Sequence, residues 1–298
     1  MATEAEYTLP IGEVARLTGV NPVTLRAWQR RFGLVTPQRT PKGHRLYSQA
    51  QVEEIKEILH WLQQGVAISR VKPLLNSNSD TQPLVDSEDD QDWQQLVAAL
   101  DNAVFAMKAV TLLQRLDEVT SLYPMPVCGD KLSEWLQNLD NQLLIRVDGE
   151  LIGQWLARQL QHYLSLRIES VMRQKPRNVL LLALNEQPPH QLWIWQLAIL
   201  AQGRLPLLFN RSTEIDALTL ICERLQPEAM LVMPAAHTNL STLSQLSQLS
   251  SKVQLNTALC GCFASLLQPQ LAHIDNLNVV ESIQQLAQWH FGAQEVQR

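Results

Sequence analysis

The sequence predicts a multidomain α and α/β protein: an N-terminal winged helix-turn-helix, a central helical bundle and a C-terminal flavodoxin-like, doubly wound parallel sheet. Three observations predict it. Short helical patterns broken by glycine and proline come first, longer helical patterns follow, and apolar runs then alternate with helical stretches. The 298 residues suffice for two or three domains.

The first two helices are short and are joined by a tight turn. Gly19 ends the first helix. Asn21 and Pro22 open the second, because Asn is a strong N-cap and Pro suits the first helical position. In the second helix Leu25, Trp28 and Phe32 form an apolar seam, and we place Thr24, Arg26, Ala27, Arg30 and Arg31 outside it.

A β-hairpin and two further helices complete the N-terminal pattern. Residues 35–47 contain two prolines and a glycine, which exclude a helix and favour a hairpin with its tip at Thr40–Gly43. Ser48 caps a third helix that Gly65 ends, and a short fourth helix follows. Helix, turn, helix, hairpin and helix together predict a winged helix.

The charge of the chain is unevenly distributed. The formal net charge is −5, yet residues 1–77 carry ten Lys and Arg against six acids, and residues 16–45 carry seven basic residues and no acid. Such an asymmetry indicates nucleic-acid binding, although a solvated helical hairpin is the alternative. The candidate DNA-binding residues are Arg26, Arg30 and Arg31 on the second helix, and Arg39, Lys42, Gly43, His44 and Arg45 at the hairpin.

An acidic stretch and a helical region follow. Residues 76–92 hold six acids and no basic residue, which predicts a solvated linker. The helical pattern after it, with Trp93, Trp135 and Trp155, predicts a small bundle with breaks near 124–129 and 148–149. The predicted domains are 1–77 (winged helix), 78–92 (linker), 93–175 (bundle) and 176–298 (α/β domain).

Five apolar runs alternate with helical stretches after Pro176, which predicts a parallel sheet with its ligand crevice at the carboxyl ends of the strands. The leucines that recur every three residues from Leu240 to Leu249 predict one amphipathic helix. The predicted strands are 179–184, 205–209, 230–233, 253–259 and 277–280.

The sequence excludes several classes of protein. No apolar run reaches the roughly 18 residues of a membrane span, and the polar, acidic segment Met1–Tyr7 excludes a secretory signal. Four cysteines do not make a disulfide framework, so we expect reduced thiols in the cytoplasm. Cys260-x-Cys262 lacks further ligands for a metal. The sequence contains no Walker, G-x-S-x-G or H-E-x-x-H motif, so no motif indicates an enzyme.

The segment IGEVARLTGVNPVTLRAWQRRFGL, followed by GHRLYSQAQVEEIKEI, resembles the N-terminal domain of MerR-family transcription regulators. The resemblance covers residues 10–75, and Trp28-x-Arg30-Arg31-x-Gly33 is similar to the MlrA-like branch of that family. Thr24, at the start of the second helix, and Tyr47, in the wing, stand at matching positions and join the candidate DNA-binding residues.

The resemblance implies a homodimer on double-stranded, near-palindromic promoter DNA that acts with RNA polymerase. It implies an activator that bends and untwists an overlong promoter spacer, in control of biofilm and curli genes. In many such dimers a long coiled coil follows the DNA-binding domain. Here the acidic linker stands in its place, which leaves the dimer surface open.

Residues 92–298 resemble the helical bundle and cobalamin-binding domain of that branch, in which an Asp/Glu-x-His-x-x-Gly loop supplies the histidine that ligates cobalt. His190 takes the ligand position, but Pro188 stands at the acidic position and Trp193 at the glycine position. The Glu-His pair of the bundle motif is also missing, and an expected glycine pair reads Cys-Gly-Cys around Gly261. These departures predict that cobalamin binding has been lost and that the protein has no cofactor.

Other readings stay open. The protein is alternatively a repressor of the same family that senses cobalamin or another ligand, or an adaptor whose C-terminal domain binds a protein partner. Trp193 and Trp195 at the mouth of the crevice, with Trp93, Trp135 and Trp155 on the bundle, could line an apolar pocket for another ligand. Aromatic packing between bundle and sheet is the alternative explanation of these tryptophans.

Overall fold

The computed structural model describes residues 8–75, 91–185, 187–210, 215–271, 274–289 and 291. The chain divides into two compact units, residues 1–131 with 138–155, and residues 132–137 with 156–298. This division cuts across the predicted bundle, so the four-part domain organisation stays a prediction. The N-terminal segment used to exclude a secretory signal, and the acidic linker up to residue 90, lie outside the described residues.

The first unit begins with the predicted winged helix-turn-helix. Its three short strands pair antiparallel in the order β1-β3-β2, with Leu9 opposite Tyr47 and Gln38 opposite Leu46. The elements are β1 (Leu9–Pro10), α1 (Ile11–Thr18), α2 (Pro22–Phe32), β2 (Gln38–Arg39), β3 (Arg45–Tyr47), α3 (Gln49–Gln63) and α4 (Ile68–Leu75).

Local capping explains where these helices begin, as the sequence predicts. The Asn21 side chain accepts a hydrogen bond from the Val23 amide at 2.8 Å, which caps α2. Ser48 and Gln51 form a capping box at α3, each side chain accepting from the other's amide at 3.2 Å.

The buried face of α2 is wider than the predicted seam. Thr24 and Ala27 were placed outside the seam, but they are only 1% and 5% exposed, so that part of the prediction is wrong. The reason is that α2 packs against α1, α4 and a later helix, α6 (Ala109–Leu122), and therefore buries more than one face. Trp28, at the centre of the seam, is fully buried as expected.

Four long helices follow. The sequence predicts a break at Pro126 and Gly129, but both residues lie inside α7 (Met125–Leu144). The break is confined to the two residues before this helix. Proline is tolerated there because it occupies the first turn, where the amide needs no helical partner. Apart from α6, the helices are α5 (Gln91–Phe105), α7 (Met125–Leu144) and α8 (Gly149–Met172).

The second unit contains the predicted parallel sheet. Its strand order is β5-β4-β6-β7-β8, which is the 2-1-3-4-5 order of flavodoxin-like folds, so the predicted fold class is confirmed. The strands are β4 (Asn178–Ala183), β5 (Leu205–Asn210), β6 (Ala229–Met233), β7 (Asn256–Cys260) and β8 (Asn278–Val280).

Helices connect the strands and cover the sheet. The leucine repeat forms one helix, in which Leu243, Leu246 and Leu249 are buried and Leu240 is exposed. The helices are α9 (Pro189–Ala201), α10 (Ile215–Leu225), α11 (Leu240–Val253), α12 (Gln268–Leu271), preceded by a 3₁₀ turn at Ser265–Leu267, and α13 (Ile283–Gln288). In the described part of the chain, no helix is long and apolar enough to cross a membrane.

Candidate nucleic-acid interface

The second helix of the helix-turn-helix presents three arginines to solvent. Arg26, Arg30 and Arg31 are exposed, whereas the seam residues Leu25 and Trp28 lie beneath them in the core. Guanidinium groups bind phosphate oxygens or the O6 and N7 atoms of guanine in a bidentate manner. The helix can therefore contact both the backbone and the base edges of a duplex.

The wing presents a second basic surface. The Gly43 amide donates to the Thr40 carbonyl at 2.8 Å and the Thr40 amide donates to the His44 carbonyl at 2.9 Å, which closes the predicted hairpin tip. Gly43 has a φ of +82°, a conformation that favours glycine, and it leaves the backbone bare at the tip. Arg39, Lys42 and His44 are exposed in the wing.

A side-chain hydrogen bond connects the wing to α2. The half-buried Arg45 donates from Nε to Gln29 Oε1 at 3.2 Å. This bond holds part of the guanidinium in place and leaves its other N–H groups for a phosphate. Sequence reasoning missed Gln29, because an isolated Gln on a helix carries no pattern that identifies its partner.

Thr24 and Tyr47 are placed differently from the other eight candidates. Their side chains are only 1% and 0% exposed, and among the described residues neither hydroxyl has a hydrogen-bond partner. Burial raises the pKa of the Tyr47 phenol, while the charges of Arg45 and Arg26 oppose that rise. Both residues lie beneath the basic surface, and a direct DNA contact from either of them stays a prediction.

Helix α2 also contacts the helical region of its own unit. The Trp28 indole donates from Nε1 to the Leu122 carbonyl at 2.8 Å. Next to it, Arg31 lies 3.4 Å from Glu118, whose carboxylate also pairs with Arg115 at 2.6 Å. Arg31 therefore shares its charge with an acid of α6, which the sequence pattern did not reveal.

The carboxyl edge of the parallel sheet is occupied by a side chain of the protein. Gln187 is buried and donates from Nε2 to the carbonyls of Leu184 and Pro234, both at 3.0 Å, with Met233 at 3.4 Å. These carbonyls lie at the carboxyl ends of β4 and β6, the two strands at which the strand order reverses. A ligand in the predicted crevice would have to displace this bridge.

The loop and helix after β4 are also filled by the chain itself. Trp193 is buried, donates from Nε1 to the Leu160 carbonyl at 2.9 Å and lies against Tyr163 with ring centroids 6.1 Å apart. Trp193 is therefore packed against α8. His190 is half-buried in the first turn of α9. A side chain at Gly261, where φ is +86°, would place its Cβ 3.1 Å from Met233.

These observations test whether cobalamin fits. Trp193 is buried at the glycine position of the motif, and Gln187 bridges the strand ends, while the loss of cobalamin binding stays a prediction. Burial raises the pKa of Cys260 well above its ordinary value, which disfavours the thiolate that a metal needs. In the described ranges, no cluster of three or more His, Cys, Asp or Glu is arranged to hold a metal ion.

A surface cavity of about 360 Å³ lies between α10 and α11. Its lining includes Cys222, Glu223 and Lys252, together with residues just before β6 and β7. It therefore lies at the amino edge of the sheet, opposite the predicted crevice. Burial raises the pKa of the Cys222 thiol.

Comparison with known proteins assigns the N-terminal part. Residues 9–78 match the family described as "MerR HTH family regulatory protein". The chain is 58% identical over 79 residues to the HTH-type transcriptional regulator MlrA of Salmonella typhimurium, which is 26% of this chain and 32% of that protein. It is 44% identical over 71 residues to the HTH-type transcriptional repressor CarH of Myxococcus xanthus, or 24% of each chain.

These relatives are matched over about a third of their length or less. For the whole chain, the structure of the methanol:cobalamin methyltransferase complex MtaBC from Methanosarcina barkeri overlaps with 76% of this chain and 92% of that one. Its sequence identity is 9% and its TM-score is 0.37, which is too low to inform function.

Proposed function

Because residues 9–78 form a MerR-type helix-turn-helix domain, we propose that this chain is a sequence-specific, DNA-binding transcription regulator. The observation that carries the proposal is the pair of basic surfaces on α2 and the wing, which are exposed and connected by Arg45 and Gln29. A duplex presents phosphates on both sides of its major groove, so a helix and a wing of this charge can contact it together.

The two surfaces have different tasks in the proposal. Arg26 and Arg30 are one turn apart on the exposed side of α2, which suits contact with base edges in the major groove. Arg39, Lys42, His44 and Arg45 contact phosphates beside it, because a hairpin tip with a bare backbone approaches the DNA closely. Affinity then comes mainly from the wing and sequence selection from the helix.

The proposal extends to the mode of regulation. Through the resemblance to the MlrA-like branch, the protein acts as a homodimer with RNA polymerase and activates promoters by distorting their spacer, with biofilm and curli genes as candidate targets. Deformation of DNA is itself a source of specificity, because flexible steps cost less to bend. A role as regulator rather than enzyme agrees with the relatives matched by the N-terminal part.

The C-terminal domain works without cobalamin in this proposal. The bridge made by Gln187 and the packing of Trp193 support it, because side chains of the chain itself occupy the strand ends and the glycine position of the motif. The test is to incubate the full chain with adenosylcobalamin in the dark, desalt it and record the visible spectrum. A retained cobalamin band would overturn this part and favour a ligand-sensing repressor, the second candidate function.

The DNA-binding proposal is tested by selection from a library of duplexes with a randomised central segment. The full chain should enrich one sequence pattern with near-palindromic symmetry, and the Arg30→Ala chain should enrich it poorly. If the wild-type chain retains no duplex above background, the proposed function is wrong.

A further inference from the structure

One valine of the N-terminal domain faces solvent. Val23 stands in the first turn of α2 and is 50% exposed. Within residues 8–75 the other valines are at most 4% exposed, and they are Val14, Val20, Val35, Val52, Val66 and Val71. The domain thus uses valine as a core residue at these other positions, and packing does not explain the valine at position 23.

Local helix chemistry does not explain this valine either. The Val23 amide donates to the Asn21 side chain at 2.8 Å, which fixes the residue at the exposed start of the helix. Asp and Glu stabilise such a first turn through the helix dipole, whereas β-branched residues are weaker helix formers. The first turn of α2 contains no acid. A valine is therefore a less stabilising choice for the helix alone, which indicates that its side chain has a use at the surface.

Val23 lies on the same side of α2 as the arginines that the proposed function assigns to base edges. Residues three and seven positions apart share a helix face, and Arg26 and Arg30 stand at these spacings from Val23. All three side chains are exposed, whereas Thr24 and Leu25 between them are buried. An apolar side chain thus stands at one end of a row of guanidinium groups.

The position of Val23 along the helix suits a contact with bases. In helix-turn-helix proteins the N-terminal residues of the second helix contact base edges in the major groove. Val23 is the second residue of α2, and Pro22 before it is half-buried. Val23 is therefore the first exposed side chain at the end of the helix that comes closest to the bases.

A valine can recognise one kind of group in the major groove. The base edges there carry hydrogen-bond donors and acceptors, which a valine cannot pair, and the C5 methyl group of thymine, which is apolar. A valine in a helix strongly prefers one χ1 rotamer, so its two methyl groups are in place before DNA binds and the contact loses little side-chain entropy. The chemistry of Val23 therefore fits thymine and no other base.

We propose that Val23 is a specificity-determining residue that selects thymine through its C5 methyl group. The inference rests on the proposed function, in which α2 lies in the major groove. Val23 and Arg26 are separated by about 4.5 Å along the helix, and successive base pairs are about 3.4 Å apart. The thymine therefore lies within about two base pairs of the base that Arg26 contacts, once in each half-site.

The test uses the duplex that the full chain selects from the randomised library. Each thymine is replaced in turn by uracil, which lacks only the C5 methyl group, and fluorescence anisotropy measures the affinity. For the wild type, the replacement of one particular thymine in each half-site should weaken binding about three- to fivefold, the effect of one buried methyl group. Val23→Ala should weaken binding to the thymine duplex by at least as much and should be insensitive to uracil at that position.

Val110→Ala is the matched control. Val110 is 70% exposed on α6, outside the proposed DNA-binding surface, so this variant should respond to uracil as the wild type does. Alanine is the better helix former at both exposed positions, so both variants should keep the fold, as circular dichroism would show. Selection from the library with Arg26→Ala locates the base pair that Arg26 contacts and thereby tests the predicted distance to the thymine.

The outcomes separate this inference from the proposed function. If the wild type binds its selected duplex but every uracil replacement affects it and Val23→Ala equally, the inference is wrong and the proposed function stands. A loss of affinity for Val23→Ala that is equal on the selected and the random duplex also overturns the inference, because the valine then contacts the sugar-phosphate backbone. A wild type that retains no duplex from the library overturns the proposed function and the inference together.

Discussion

The Trp28 indole donates a hydrogen bond to the Leu122 carbonyl at 2.8 Å, so the core of the recognition helix is bonded to the end of α6. Trp28 is fully buried, and the bond joins residues that lie 94 positions apart in the chain. The orientation of α2, which carries the candidate DNA-binding arginines, thus depends on the helical region that follows it.

Replacing Trp28 by Phe should destabilise the protein by about 1–3 kcal/mol, because the buried Leu122 carbonyl loses its donor. Denaturant unfolding of the full chain measures the change. Trp61→Phe is the matched control, since the Trp61 Nε1 is buried without a hydrogen-bond partner among the described residues. Equal losses in the two variants would mean that the change in ring size, and not the hydrogen bond, determines the effect.

Replacing Glu118 by Gln should strengthen DNA binding by about two- to fivefold at low salt, because the carboxylate pairs with Arg31 and repels phosphate. The gain should shrink as salt rises, since the charges are partly exposed and screened. Fluorescence anisotropy with a labelled duplex measures it. Glu169→Gln, an exposed acid paired with Arg173 on α8, should leave the affinity unchanged.

Arg45→Ala should weaken binding similarly on specific and random duplexes and should reduce the slope of log affinity against log salt by about 0.9, the value for one phosphate contact. The loss of the bond to Gln29 adds to this effect by loosening the wing. An unchanged slope would remove Arg45 from the phosphate contacts. Arg173→Ala serves as the control, because it removes one exposed positive charge just after the end of α8.

Arg26→Ala and Arg30→Ala should lower the ratio of specific to random affinity, by about tenfold or more for a residue that makes a bidentate base contact. The same titrations on the selected and the random duplex measure this ratio. If both variants bind more weakly with the ratio unchanged, the two arginines position the helix and do not read the sequence.

Gln187→Leu should destabilise the second unit by about 1–3 kcal/mol, because the carbonyls of Leu184 and Pro234 lose their donor in a buried place. Hydrogen exchange at β4 and β6 measures the loss locally. Gln191→Leu is the matched control, since its Oε1 is buried without a partner in the described part of the chain. If Gln187→Leu reduces stability no more than Gln191→Leu does, the hydrogen bonds of Gln187 do not stabilise this edge of the sheet.

Local signals explain why so much of the fold was predictable. Asn21, Ser48 and the glycines that end α1 and α2 act within a few residues, so the boundaries of the winged helix follow from the sequence. The alternation of apolar runs and helices likewise predicted the parallel sheet. The predicted break at Pro126 is wrong for a local reason as well. A proline in the first turn of a helix is permitted, although in the sequence it resembles a helix-breaking residue.

The candidate site was predictable only in part. The spacing of Arg26 and Arg30 and the basic hairpin identified an exposed surface, because charge that has no partner nearby in sequence usually faces water. Burial of Thr24 and Tyr47 was missed, since it depends on what packs over α2 and β3 from elsewhere in the chain. The partners of Arg31 and Arg45 were missed for the same reason.

By itself the sequence determined the three kinds of architecture, the ends of most helices and the basic surface of the N-terminal domain. Those features depend on propensity, capping and apolar period, which operate over one or two turns. Only the tertiary structure decided that Trp28 bonds to Leu122, that Gln187 bridges the strand ends and that Ile145 and Val147 face solvent. Each of these depends on which distant segments meet when the chain packs, and no local pattern encodes that choice.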